Sequence, residues 1–443
     1  MKSPSFPLKS LTVALSCAFG AHAAIAADVN ADRINAVYPS VETVYKDLHS
    51  HPELGFDVER TEKTLADLVK PLGYEVTTGI AGHGLVAILH NGPGPVVMLR
   101  TELDALPVQE KTDLPFASKA SAKTAKGEMT PVAHACGHDI HMSSWYGTAK
   151  IMAENRSQWS GTLMLVGQPA EELVAGAAAM VKDGLFTKFK KPDYALSMHD
   201  EGTLPSGVVG YHPGYFRAAS DTAEITLFGQ GGHGAAPQET IDPVVMAAKT
   251  VMALQTIISR ENNPVDPAVI TVGSIHGGTA GNVVPDQVKL QLTIRTFSEA
   301  VRNKVHAAIT RIVKGEALAS NAQKEPIVDI KRGTDAVYND PALTERMANA
   351  VRGAVGKDKV AAVVEMPAKM TSEDFSVYGQ NGVKAVLLHV GAVPAEKLEA
   401  AKKRGIPLPG THSPQWAPEY EPTLKATIAA ETAILFDLMG KAQ

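Results

Sequence analysis

The sequence predicts an α/β protein whose main sheet is mostly parallel and covered by helices, with a second, ferredoxin-like lid unit inserted into it. Three observations carry that expectation. Strand-length apolar runs alternate with helical patterns between residues 85 and 198, the order changes to β-α-β-β-α-β between residues 218 and 331, and the first alternation returns after residue 332.

From residue 44 to 72 the apolar spacing is helical, punctuated by His51-Pro52-Glu53, and the runs 85–89 and 96–99 that follow read as strands. Residues 117–126, rich in Ala, Ser and Lys, read as a solvated loop. A helix over 141–154, a strand over 162–166, a short helix near 177–181 and a strand over 194–198 complete the first stretch. Such alternation places helices on both faces of parallel strands. In the inserted stretch, strands are expected at 221–228, 268–275, 287–297 and 327–331, with helices at 243–259 and 299–318. Val288, Leu290, Leu292 and Ile294 alternate with polar neighbours, the period of a sheet with one buried and one wet face. After residue 332 come a helix at 341–355, strands at 360–365 and 385–390, and a closing helix at 423–439. The expected division is a main unit of 27–217 and 332–443 interrupted by a lid of 218–331, with Gly214 and Gly333 easing the crossings.

A chain of 443 residues that is 44% hydrophobic can build more than one core. Its 42 Lys and Arg against 47 Asp and Glu give a net charge of −5, so no electrostatic footprint for nucleic acid or an anionic membrane is visible. The N-terminus has the layout of an export signal: Lys2 and Lys9, an apolar stretch over 11–20, then small residues up to Ala26, where cleavage is expected. Export to the periplasm or medium would remove Cys17 and leave Cys136 alone, without a disulfide partner. A lone thiol in an exported protein asks for a reason: metal ligation, nucleophilic catalysis or burial.

The densest polar cluster is His134-Ala135-Cys136-Gly137-His138-Asp139-Ile140-His141. Three imidazoles, a thiol and a carboxylate form a donor set that suits borderline-soft transition metals, although a hydrogen-bonded turn would use the same residues. Glu171 and Glu172 follow the strand over 162–166, and His199 follows the strand over 194–198, at carboxyl ends where open α/β sheets build their sites. In extended chain the adjacent glutamates point apart, so one is expected to ligate and the other to face a reacting water. Asp104, just before Pro107, is placed to orient a ligand histidine through its carboxylate. Gly229-x-Gly231-x-x-Gly234 matches a dinucleotide fingerprint, yet Pro237 blocks the helix that would hold a pyrophosphate. No G-x-S-x-G elbow and no H-E-x-x-H pair occurs.

RTELDALP at 100–107, HACGHDIH at 134–141, QPAEE at 168–172, SEDF at 372–375 and THSP at 411–414 occur in this order. Together they resemble the aminoacylase and carboxypeptidase G family of dinuclear metallohydrolases, in the branch of hippurate hydrolases and auxin-amino-acid conjugate hydrolases. The resemblance implies that Cys136, bridging two divalent ions, together with His138, Glu172, His199 and His412, are metal ligands, and that Glu171 is the general base. It further implies that His233 polarises the scissile carbonyl, from its own lid or from a partner subunit across a lid-mediated homodimer, and that Asn282 and Arg295 hold substrate oxygens. The implied reaction is hydrolysis of an N-acyl amino acid or related conjugate by a metal-bound water. A dipeptidase or carboxypeptidase on the same frame, or an exported metal- or ligand-binding protein without catalysis, are the alternatives. Thiolate and imidazole ligands favour zinc, with manganese, cobalt or nickel as alternatives. Glu102, Ile140 and Leu173-Val174-Ala175 depart from the branch, which usually has Asp, Gly and a Gly-rich stretch there.

Overall fold

The computed structural model describes residues 31–124, 126–354 and 363–441. The expected leader at 1–26 and the start of the strand expected at 360–365 lie outside them. Helices α1 (Ala31–Ser50) and α2 (Glu59–Val69) precede strands β1 (Glu75–Ile80), β2 (Gly84–Asn91) and β3 (Val96–Glu102). Then come α3 (His138–Glu154), β4 (Gly161–Gln168), α4 (Gly176–Lys182), β5 (Tyr194–Pro205) and β6 (Val209–Tyr211). The next stretch holds β7 (Ala219–Phe228), α5 (Pro243–Thr256), β8 (Ala268–His276), β9 (Gln287–Thr296), α6 (Glu299–Ala319) and β10 (Ile327–Arg332). The chain continues with α7 (Pro341–Ala354), β11 (Val363–Glu365), β12 (Lys384–Val393), α8 (Ala395–Arg404) and α9 (Tyr420–Met439).

Eight strands form one sheet in the order β1-β2-β4-β3-β5-β12-β6-β11. Its centre, β4-β3-β5-β12, is parallel throughout, while β1 and β2 extend one edge as antiparallel strands. Every residue of β3 is buried, as an apolar run flanked by helices on both faces must be. One core packs α1, α3 and α9 against the sheet through residues such as Val41, Trp145 and Ile428, and the other face buries Met98, Met180, Phe216 and Phe375. Each fully buried side chain of this size contributes roughly 1.5–3 kcal/mol by leaving water. Helix α3 is buried along almost its whole length because Gly147 lets its neighbours close on it. A Cβ there would lie 2.6 Å from Ile428 and 2.9 Å from Val41.

The second sheet, β8-β9-β7-β10, is antiparallel and carries its own core. Along β9 the even-numbered residues Val288, Leu290, Leu292 and Ile294 are buried, whereas Gln287, Lys289 and Gln291 face solvent, the alternation read from the sequence. Asp242 caps α5 by accepting from the Val244 amide at 2.8 Å, with Pro243 in the first turn. At the crossing, the Asp221 carboxylate accepts from Arg302 Nε at 2.7 Å and the Gly333 amide at 2.9 Å. Gly214 has φ +86°, as its expected freedom requires. Gly333 serves differently: it is not left-handed, and a Cβ there would lie 2.3 Å from the Ser220 carbonyl.

Several elements had no signal in the sequence. Strand β1 buries little beyond Ile80, so its composition is polar, and α8 is a surface helix with one buried residue. Within the stretch read as a loop at 117–126, Ser121–Lys123 pairs with Met129–Pro131 as a small hairpin.

Candidate metal centre and active site

The carboxyl ends of the parallel strands build the site. β4 runs into Gln168 and the glutamate pair, β5 carries His199, and β12 sets His389 in register beside His199. Between β3 and α3 the chain delivers Cys136 and then Gly137, whose φ of +79° turns it into the helix at His138, three residues earlier than expected. No other residue fits that position, since a Cβ would meet the Asp200 carboxylate at 2.3 Å. His412, also left-handed at φ +68°, is tied back by its amide to the Ala135 carbonyl at 2.6 Å.

Cys136 Sγ stands 3.5 Å from His199 Nε2, and His199 Nδ1 is satisfied by the Asp200 carbonyl at 2.7 Å. His138 Nδ1 is 2.7 Å from the Asp104 carbonyl, which turns Nε2 toward Glu171 Oε2 at 3.8 Å and Glu172 Oε1 at 3.9 Å. His412 Nε2 approaches Glu172 Oε2 at 3.4 Å. Cys136 thus belongs to two three-donor groups, one with His138 and His199 and one with Glu172 and His412. In each group the donor atoms lie within 4.8 Å of one another.

Two expectations are corrected. Asp104 fixes His138 through its backbone carbonyl; its carboxylate lies 3.8 Å from the ring and instead accepts from the amides of Glu171 at 2.9 Å and Glu172 at 3.1 Å. The two glutamates do not point apart, because the segment is a turn: Ala170 and Val174 both have positive φ, at 54° and 53°. A β-branched residue is strained there, which is a physical reason for glycine being common after such a pair.

The electrostatics suit a cation. Burial pushes the Cys136 thiol well above its usual range, helped by Glu172 and Glu171. It does the same to Glu171, reinforced by Glu373 and Asp374, and lifts Glu172 to about 7. His138 is pushed down by burial, so its ring is neutral. His138 Nε2 and Glu172 Oε1 are buried without a hydrogen-bond partner. Orphaned donor-set atoms facing a thiol and imidazoles fit a divalent metal, which would satisfy them together. Two groups that include His141 are different, because His141 is already saturated: its Nδ1 meets Glu102 at 2.9 Å and its Nε2 meets Asp200 at 3.2 Å. Glu102, at the position where Asp is usual, also pairs with the buried Arg100.

These residues open onto a cavity of about 470 Å³. Arg295 lines it as expected, its Nη1 donating to Ser372 Oγ at 2.8 Å. Sequence reasoning did not single out Arg217, His389, Glu201 or Lys369. Arg217 bonds Thr371 and reaches His389 Nε2 at 3.0 Å; His389 Nδ1 meets Glu201 at 2.9 Å, and Glu201 also pairs with Lys369. His389 pairs in register with His199 on the adjacent parallel strand, but the strand expected at 385–390 runs through it, so a search just past strand ends did not single it out. Arg217 and Lys369 carry no such signal. Every carboxylate of the wall outside the glutamate pair is already held: Asp200 by His141 and Trp416, Glu201 by His389 and Lys369, Glu373 by Arg100.

His233 and Asn282 are not brought to this cavity. His233 is exposed on a two-stranded pairing of Gly232–His233 with Val283–Val284, and the Asn282 carbonyl accepts from the Gly234 amide at 2.8 Å. Pro237 opens a single 3₁₀ turn rather than a phosphate-binding helix.

Residues 98–403 match the model of the family described as Peptidase family M20/M25/M40. The chain is 37% identical over 283 residues to a hippurate hydrolase of Campylobacter jejuni, covering 64% of this chain and 71% of that one. It is 34% identical over 341 residues to thermostable carboxypeptidase 1 of Saccharolobus solfataricus, covering 76% and 82%. Among solved structures, a Bacillus subtilis protein described as a dinuclear metal-binding peptidase of the M20 family superposes with a TM-score of 0.73 at 27% identity, over 90% of this chain and 98% of that one.

Proposed function

The chain belongs to peptidase family M20/M25/M40, and on that premise we propose that it hydrolyses the amide bond of N-acyl amino acids or related small conjugates. The observation that carries this is the buried, partnerless pair His138 Nε2 and Glu172 Oε1, converging with Cys136 and His199 beside Glu171. Two divalent ions would be held by Cys136, His138, Glu172, His199 and His412, with Cys136 shared. Bound there, they would lower the pKa of water toward ~7 and polarise the scissile carbonyl. The soft donor set favours zinc.

Glu171 is the base: its carboxylate borders the cavity, and the hydrogen bond from its amide to Asp104 fixes the turn that aims it. It takes the proton of the attacking water and returns it to the leaving nitrogen. Arg295 and Arg217, on the Thr371–Ser372 wall, suit the carboxylate of the amino-acid part. A dipeptidase would also need to recognise a free α-ammonium, and no wall carboxylate outside the glutamate pair is unclaimed. That favours acylated substrates over dipeptides. His233, with Asn282, acts by closure of the lid unit at 218–331 or from the partner subunit of a homodimer. Export after cleavage near Ala26 is part of the proposal, and it suits a thiol protected by coordination.

The test is turnover of benzoylglycine against a dipeptide panel, with and without chelator. Benzoylglycine should be cleaved and chelation should abolish the activity. Turnover of free dipeptides alone, or activity indifferent to chelator, overturns the reading.

A further inference from the structure

A second cavity, of about 700 Å³, lies beside the metal cleft and no step above uses it. Its walls are one face of α8 with Ala395 and Leu398, the segment after that helix with Ile406 and Leu408, and β5 residues near Gly202. Gly405, at φ +67°, ends α8 and turns the chain so that Ile406 and Leu408 face back toward it. The two cavities share Glu201, Gly202, Lys369 and Thr411. Their common boundary is therefore the Lys369–Glu201 ion pair, itself fixed from behind by His389.

The volume falls in the range of small-molecule sites, roughly 300–1,000 Å³, and such sites are mostly apolar with a few polar anchors. Ile406, 61% exposed, forms an apolar surface with Ala395, Leu398, Pro407 and Leu408 that gains by being covered, while Thr203, Glu399 and Lys402 supply polar groups to the same lining. Direction follows from the metal cleft. Arg295, Arg217, Thr371 and Ser372 line the first cavity and not the second. A substrate whose carboxylate is held on that wall has only its acyl end left for the boundary. We infer that the α8 cavity is the acyl subsite and takes an extended apolar acyl or aromatic group, an assignment that rests on the amide-hydrolysis reading.

The experiment compares metal-loaded wild type with Ala395→Trp, which fills the cavity from an exposed position, and Ile406→Asp, which makes its wall polar. For each, kcat/KM is measured on acetylglycine and decanoylglycine, and binding of decanoate is measured by calorimetry. The ratio of kcat/KM for decanoylglycine over acetylglycine should fall at least tenfold in both variants, and decanoate should bind at least tenfold more weakly. An unchanged ratio, with decanoate bound as in wild type, overturns the subsite. If wild type cleaves no acylglycine, the amide reading has failed, and the decanoate titration alone decides whether the cavity takes an apolar chain.

Discussion

The metal cluster and the His233 loop are built in opposite ways. Cys136, His138, Glu171 and His199 are buried where the start of α3, the turn after β4 and the strand β5 meet at the main sheet, held by backbone contacts such as His138 on the Asp104 carbonyl. His233 sits exposed on a two-residue strand of a separate sheet. A site assembled within one packed layer is complete as the chain folds, whereas a residue carried on another layer acts only when the layers, or two chains, come together. The lesson is that the two regions should respond differently to substitution.

The largest effect is expected inside the cluster. Glu171→Gln removes the proposed base and none of the proposed ligands, so kcat should fall by ~10² to 10⁴ while metal content is unchanged. Near-normal turnover would remove Glu171 from the mechanism.

His233→Ala should cost roughly 10²-fold in kcat, as loss of an oxyanion donor does, again without loss of metal. Mixing it with Glu171→Gln protein then separates the two ways of bringing the loop in. Activity recovered in hybrid dimers means the histidine crosses between subunits, and no recovery despite subunit exchange means it closes within one chain.

Much of this contrast was legible in the residues themselves. Strand ends rich in His and Glu, the Cys136–His138 spacing and the one-sided alternation of β9 are local patterns imposed by burial, and each appears where it was expected. What stayed hidden depends on distant partners. Asp104 could not be seen to serve the glutamate amides, because that contact spans 67 residues and uses a turn whose positive φ falls on Ala170 and Val174 rather than on glycine. Arg217 and Lys369 reach the wall only through the crossing and the 369–373 segment, for which no periodicity exists.

The main unit buries unpaired acid and should carry the pH sensitivity of stability. Glu431, in α9, is fully enclosed against Thr148 Oγ1 at 2.6 Å, and burial raises its pKa from an ordinary 4.5 to about 8. The folded form holds this proton more tightly than the unfolded form, so its stabilising contribution is complete below about pH 4.5 and is lost as pH rises to about 8. Glu431→Gln should remove that loss, raising Tm at pH 8 relative to wild type by roughly 1–2 °C per kcal/mol recovered, with little change at pH 4.5. Parallel melting curves at both pH values would contradict it.

The smallest effect is local. Val174→Gly relieves a left-handed β-branched residue and should change stability by about 1 kcal/mol or less in either direction, since strain relief opposes the added freedom of the unfolded chain. Denaturant midpoints measure it. A loss well beyond that size would mean Val174 is held by contacts rather than strained.

The central claim is that one thiol joins two donor groups into a dinuclear centre, and counting divalent ions per chain tests it most directly. Wild-type protein, purified and equilibrated with zinc, should bind two ions, and Cys136→Ala should bind at most one. Two ions retained by Cys136→Ala, or an active wild type that holds none, would contradict the account.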